Sequence, residues 1–321
     1  MIKTGIIGGA GYTAGELIRI LINHPGAEIE FVQSSSNAGN AITDVHTDLV
    51  GEIEMMFESS PDLNSADVLF LCMGHGRSKS YVDELPETYK GKVIDLSHDF
   101  RLKESAGDFV YGLPELQRDK IVKSSRIANP GCFATSIQLA LLPVAAAKML
   151  GEVHIHAVTG STGAGQSPTA TTHFSWRNNN ASVYKAFGHQ HLGEIGETLV
   201  QLQSDFDAPV NFVPMRGDFP RGIMASVYFD SQLSEQEAVK LYKEYYRSHP
   251  FVHVVDKNPD LKMVVNTNKA VLYVRKYDKK VHIISLVDNL LKGASGQAVQ
   301  NMNLIFGLDE LTGLHLKPSA F

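Results

Sequence analysis

The sequence predicts a two-domain α/β protein, a doubly wound parallel sheet followed by a second α+β domain, and three observations predict it. IKTGII at 2–7 is a short apolar strand that runs into GGAGYTAGE and then into LIRILINH, whose apolar residues recur at helical spacing. EIEFVQS at 28–34, DVLFLCM at 67–73, KVIDLS at 92–97 and SSRIANP at 124–130 are further apolar runs separated by turn or helix-like stretches, the pattern of parallel strands. After Gly151 the texture changes to many strands with few helices, and 321 residues are long for a single core.

The remaining elements follow in order. CFATSIQLALLPVAAAKML at 132–150 reads as a helix interrupted by Pro143. EVHIHAVTG, APVNFVPM, GIMASVYFD, KAVLYVRKY and KVHIISLVD alternate or run apolar at strand length, which predicts a mixed or antiparallel sheet. Among them lies one helix, SEQEAVKLYKEYYRSH, with Ser234 and Glu237 at capping-box spacing. The segment from Ser161 to Asn180 is a long polar loop, of the kind that is usually functional or mobile. GASGQAVQNMNLIFGL at 293–308 is helical again. The division expected is 1–130, with 293–321 returning to it, and 131–292.

Composition narrows the function. At 43% hydrophobic and 20% charged residues, the chain has no apolar run near the roughly 18 residues of a membrane span. A formal charge of −6 argues against nucleic acid as a partner. Two cysteines, Cys72 and Cys132, make no disulfide framework, and MIKTGIIGGAGYT lacks the apolar core of a signal peptide, so the cytoplasm is expected.

Gly8, Gly11 and Gly15, between strand and helix, resemble a dinucleotide fingerprint in an altered spacing, GxxGxxxG. Such a turn lets a pyrophosphate approach N–H groups at the positive end of a helix. Where an NAD site carries an acid after the second strand, this chain has Gln33, Ser34, Ser35 and Ser36, which favours NADP(H) over NAD. Hydroxyls such as those of Ser34 and Ser36 can surround a 2′-phosphate without repelling it. His75 and Gly76, at the end of another strand in the same half, read as cofactor-loop residues.

Cys132 follows Asn-Pro-Gly and opens a helix, a position whose N–H groups and dipole stabilise the attacking thiolate. Cys72, inside FLCM, reads as a buried packing residue. A thiolate needs a proton partner, and FGHQHLGEI supplies His189 and His191, which in an extended segment would face one side together. His154 and His156 alternate in a strand and complete no metal site, so no metal is expected. A cysteine hydrolase or transferase and a dehydrogenase passing through a thioester are both compatible; the glycine turn favours the dehydrogenase. Arg216 and Arg221 in MRGDFPRGI are guanidinium forks suited to a carboxylate or phosphate.

Together, GGAGYTAGEL, GHG at 74–76, DLSHDFRL, YGLPEL, NPGCFAT, GHQHLGEI, PMRGDFPRGI and DNLLKGASGQAVQNMNLIFGL resemble the N-acetyl-γ-glutamyl-phosphate reductases, relatives of aspartate-semialdehyde dehydrogenase, over essentially the whole chain. The resemblance implies a Rossmann-type first domain and a semialdehyde dehydrogenase-like catalytic and dimerisation domain. It also implies NADPH-dependent reduction of an N-acyl-γ-glutamyl phosphate through a thioester on Cys132, in arginine biosynthesis, with His191 or His189 as acid/base. Gly8, Gly11, Tyr12 and Thr13 match the cofactor loop, Asn289 and Gly293 a segment near the nicotinamide, and Arg101, Gln166, Arg216 and Arg221 the substrate contacts. A homodimer or homotetramer is implied as well. Phe133, Ala134, Gly193, the loop TGSTGAGQSPTATTHF and the inserted Gly217, Asp218 and Phe219 depart from the usual pattern around the substrate and point to acyl recognition, acetyl or the larger succinyl. The rivals are the same chemistry on an aspartyl or aminoadipyl phosphate, and a non-catalytic NADP-binding regulator.

Overall fold

In the computed structural model, which describes residues 1–74 and 76–319, β1 (Ile2–Ile7) is buried from Thr4 onward, as a central parallel strand must be. It leads through the glycine turn into α1 (Tyr12–Leu21). The chain then lays down β2 (Ala27–Gln33), β3 (Phe57–Glu58), β4 (Val68–Leu71), α2 (Ser78–Asp83), β5 (Lys92–Asp95), β6 (Val110–Tyr111), α3 (Pro114–Val122) and β7 (Arg126–Ala128). These strands form one seven-stranded sheet in the order β3-β2-β1-β4-β5-β7-β6, and every pairing is parallel. The strand order reverses between β1 and β4, the place where open sheets of this kind bind ligands. Between β2 and β4 the sequence lacks helical periodicity, and the chain crosses there with short 3₁₀ turns at Ile42–Asp44 and Thr47–Leu49.

The second unit opens with α4 (Cys132–Ala146), followed by β8 (Val153–Thr159), α5 (Phe174–Arg177), β9 (Ser182–Val183), α6 (His191–Leu202), β10 (Val210–Arg216), β11 (Ile223–Asp230), α7 (Glu235–Tyr245), β12 (Val252–Val255), β13 (Ala270–Tyr277) and β14 (Lys280–Val287). Its sheet, β12-β13-β14-β11-β8-β10-β9, is mixed: β11 runs antiparallel to β8 and β14, and β10 parallel to β8. The alternation read in GIMASVYFD is structural, since Ile223, Ala225, Val227 and Phe229 point into the core. Ser234 and Glu237 form the reciprocal cap of α7, with Glu237 N–H donating to Ser234 Oγ and Ser234 N–H to Glu237 Oε2.

α4 packs against β11 and β14 and is buried at every residue from Phe133 to Ala145. Pro143 sits inside it and lacks the N–H that would bind the Leu139 carbonyl. Two buried tyrosines at the end of α7 answer this: Tyr246 donates to Leu139 O and Tyr242 to Ala140 O, each at 2.5 Å. The helix therefore continues through its proline instead of breaking.

After Gly293 the chain forms α8 (Ser295–Ile305), buried throughout, which Gly307 ends in the left-handed region at φ +72°. α8 belongs to the first unit, which comprises Met1–Pro130 and Ala294–His315, whereas Gly131–Gly293 and the tail from Leu316 make the second. No helix among the described residues is long and apolar enough to cross a membrane.

Tyr246→Phe leaves a buried carbonyl without a donor and is expected to destabilise the protein by about 1–3 kcal/mol in urea unfolding. Adding Pro143→Ala restores an amide at that point, and the double variant should recover most of the loss.

Candidate active site

In the first unit, Gly8 adopts φ +81°, and a Cβ there would lie 2.9 Å from the Cys72 carbonyl atoms, so only glycine fits. A Cβ at Gly9 would lie 2.2 Å from Val32 Cγ1, while at Gly11 it would meet nothing within 4 Å. Gly11 is the N-cap of α1 and offers no side-chain cap, so no side chain covers the first N–H groups of the helix from that position. These residues fit a dinucleotide's pyrophosphate. Tyr12 opens α1 half-exposed, and the Thr13 carbonyl accepts from Ser295 Oγ at 2.8 Å. Gln33, at the end of β2, turns its Oε1 to the Gly8 N–H at 3.3 Å. Beyond it, Asn37 Nδ2 donates to Ser36 Oγ at 2.9 Å and to Ser34 Oγ at 3.4 Å, making a neutral hydroxyl and amide cluster. Gly76 lies at φ +79° with its N–H bound to Asp99; His75 lies outside the described residues. Cys72, expected as a buried strand residue, lies just past the end of β4 and is half-buried, its thiol pushed up to about 12 by desolvation with partial relief from its hydrogen bond to Thr13.

In the second unit, Cys132 is the first residue of α4, behind an extended Gly131 at φ −71° and ψ 148°. The Gly131 N–H donates to Glu194 Oε2 at 2.9 Å, and the other oxygen of that buried carboxylate lies 3.9 Å from His191 Nε2. A Cβ at Gly131 would lie 2.4 Å from His191 Nε2, and one at Gly293 would lie 2.8 Å from Cys132 Cβ. The thiol residue, the imidazole and the 289–293 segment are thus packed backbone to side chain.

The two histidines do come together, though by a route different from the extended segment expected. Gln190 is already helical, His191 starts α6, and the rings meet edge to face with centroids 4.7 Å apart. His189 Nδ1 accepts the His191 N–H at 3.2 Å, which leaves its proton on Nε2. Burial, helped by the Lys185 charge, lowers His189 from 6.5 to about 4, so it is neutral at pH 7. Phe133, beside the thiol residue, packs edge-on against both histidines at 5.5 and 6.3 Å.

The arginines separate in role. Arg221 is bound through Nε and Nη2 to the fully buried Asp288 at 3.1 and 3.2 Å, and Arg101, also buried, holds the carbonyls of Asn129 and Leu96. Arg216 stacks on the Tyr184 ring at 4.7 Å and forms no ion pair among the described residues. Tyr184 also packs edge-on to His189, and its hydroxyl is pushed up by burial and by the charge of Cys132. Asn289 is committed on both sides, accepting from Gly222 N–H at 2.8 Å and donating to Thr162 Oγ1 at 2.9 Å. Gln166 stands exposed on its loop. Glu194, Tyr184 and Asp288 were not singled out from the sequence. Among the described residues no group of three or more His, Cys, Asp or Glu side chains is placed to hold a metal.

Two family models match this chain: the NAD binding domain of semialdehyde dehydrogenase over residues 3–124 and its dimerisation domain over residues 132–289. N-acetyl-gamma-glutamyl-phosphate reductases of Parabacteroides distasonis and Azobacteroides pseudotrichonymphae are 58% and 60% identical to it over 322 aligned residues, covering all of both chains. The chain belongs to the N-acetyl-gamma-glutamyl-phosphate reductase family. Solved structures of aspartate semialdehyde dehydrogenases share the fold. That of Vibrio cholerae aspartate semialdehyde dehydrogenase II complexed with ASA superposes with a TM-score of 0.73 at 16% identity, over 96% of this chain and 98% of that one. The Candida albicans enzyme with NADP gives 0.69 at 15%, over 95% and 98%.

For a reductase of this family, Gly131 is a sharp test of the geometry. Gly131→Ala forces the His191 imidazole or the backbone behind Cys132 to move, and kcat/KM is expected to fall more than about 100-fold. Circular dichroism should still report a folded chain.

Proposed function

We propose that the protein reduces an N-acyl-γ-glutamyl phosphate, the acyl group being acetyl, to the N-acyl-glutamate semialdehyde and phosphate with NADPH, through a thioester on Cys132. The observation that carries this is a thiol residue that opens α4 directly behind Gly131, whose backbone packs against His191 and binds Glu194, in a chain of this family.

The chemistry follows from the placement. The N–H groups at the start of α4 favour the Cys132 thiolate, which attacks the γ-carbonyl carbon. The carbon–oxygen bond to phosphate breaks, and a proton from His191 goes to the departing phosphate oxygen, leaving the thioester. The coenzyme, when bound, supplies the hydride that reduces this thioester. The resulting thiohemiacetal alkoxide collapses by breaking its carbon–sulfur bond, which frees the semialdehyde and regenerates the thiolate. We assign proton transfer to His191, whose Nε2 lies 3.9 Å from the Glu194 carboxylate; the neutral His189 supports it through the bond to its N–H. Gly8, Gly11, Tyr12 and Thr13 would hold the pyrophosphate, Ser34 and Ser36 the 2′-phosphate end, and Gly76, Asn289 and Gly293 the nicotinamide end.

Arg216 is the guanidinium we assign to an anionic group of the substrate. Arg101, Arg221 and Gln166 complete the substrate contacts, the first two while also bracing the backbone around them. An arginine without an acidic partner beside the catalytic histidines also favours a second reading, an acyl group that ends in a carboxylate, such as succinyl. The dimerisation domain supports a homodimer, and two cysteines that both remain thiols fit a reducing compartment, the cytoplasm.

An NADP reduction assay with phosphate and either acylated semialdehyde tests both readings. Turnover of the acetyl compound is expected. If succinyl is the true acyl group, it will be preferred, and Arg216→Leu will reverse that preference by about tenfold or more, the loss of a charged hydrogen bond. Absence of turnover with both compounds would contradict the assignment.

A further inference from the structure

His46 lies outside every motif that pointed to the coenzyme, yet its ring reaches the glycine turn. Its Nε2 lies 2.8 Å from the Gly9 carbonyl oxygen, and since a carbonyl can only accept, the ring donates there. The ring is 7% exposed, and space has been made for it: a Cβ at Gly15 would lie 2.7 Å from His46 Nδ1. The short turn that carries His46 is fixed to α1, because Arg19 binds Asp48 through Nε and Nη2 at 2.5 and 2.7 Å. From the opposite side, Gln33 takes the Gly8 N–H on its side chain, and its own carbonyl takes the N–H groups of Gly8 and Gly9 at 3.1 and 2.7 Å.

Glycine removes side chains so that a pyrophosphate can approach, but it also leaves the backbone loose, and a loose loop binds with an ordering cost. The peptide planes at Gly8 and Gly9 are held here by donors and acceptors that come from outside the turn. We propose that His46 is a positioning residue of the coenzyme loop, its hydrogen bond to Gly9 fixing the backbone against which the pyrophosphate is bound. Gln33 provides the opposing hold. This rests on the glycine turn being the coenzyme site and adds to it the residue that keeps the turn in its binding shape.

The test compares two ligands by fluorescence titration and competition: NADPH, which has the pyrophosphate, and 2′-AMP, which lacks it. His46→Leu fills the space without a donor, His46→Ala empties it, and His46→Gln restores an amide donor; any variant used is first shown to melt cooperatively. In a folded His46→Leu or His46→Ala protein the NADPH dissociation constant is expected to rise about tenfold, the effect of one buried hydrogen bond, with 2′-AMP within about twofold of the unaltered protein. His46→Gln should return NADPH binding to within about threefold. An unchanged NADPH affinity, an equal loss for 2′-AMP, or no recovery in His46→Gln would overturn the positioning role while leaving the coenzyme site in place. Failure of the unaltered protein to bind NADPH would instead overturn the coenzyme site itself, and the proposal with it.

Discussion

The approach of the His191 imidazole to the Gly131 backbone is the contact on which the thiol site depends. A Cβ at residue 131 would lie only 2.4 Å from Nε2, so any side chain there would displace the imidazole or the backbone before Cys132. Glu194 accepts the Gly131 N–H at 2.9 Å, and its other oxygen lies 3.9 Å from the imidazole. One buried carboxylate therefore fixes the backbone in front of Cys132 and sets a second oxygen beside the His191 imidazole. A carboxylate so buried would be costly alone, and its partners are what make it tenable.

The opposite wall is built in the same way. Asp288 is fully buried and satisfied by Arg221 and by the N–H groups of Asn266, Leu290 and Leu291, which shapes the turn leading to Gly293. Gly293 then meets Cys132 at a distance no side chain would allow. A residue that looked from its charge like a ligand grip, Arg221, is in part a structural counterion. Arg216 instead stacks on the Tyr184 ring.

Local features carried much of this in the sequence. IKTGII followed by glycines, the Asn-Pro-Gly-Cys turn and the alternation in GIMASVYFD each record a nearby physical demand, and the structure meets each within a residue or two. The two-residue strands β3, β6 and β9 are too short to leave a period, and the sheet orders depend on pairings that no local run records. The start of α6 was obscured by Gly193 and Gly196, although Leu192, Ile195 and Leu199 carry the helical spacing. Glu194 has no local pattern that marks it; its contact appears only when the fold brings it to Gly131, 63 residues away in the chain. Asp288 and Arg221 meet across 67 residues, and His46 and Gly9 across 37, so each pair had to await the tertiary structure.

The central claim is that acyl transfer runs through Cys132. The direct measurement is peptide mass spectrometry of the protein quenched after incubation with NADP and the acylated semialdehyde in the absence of phosphate. The thioester should be found on the peptide containing Cys132 and disappear when phosphate is added. Steady turnover with no adduct on Cys132, or an adduct that forms on Cys72 and is released by phosphate, would contradict the account.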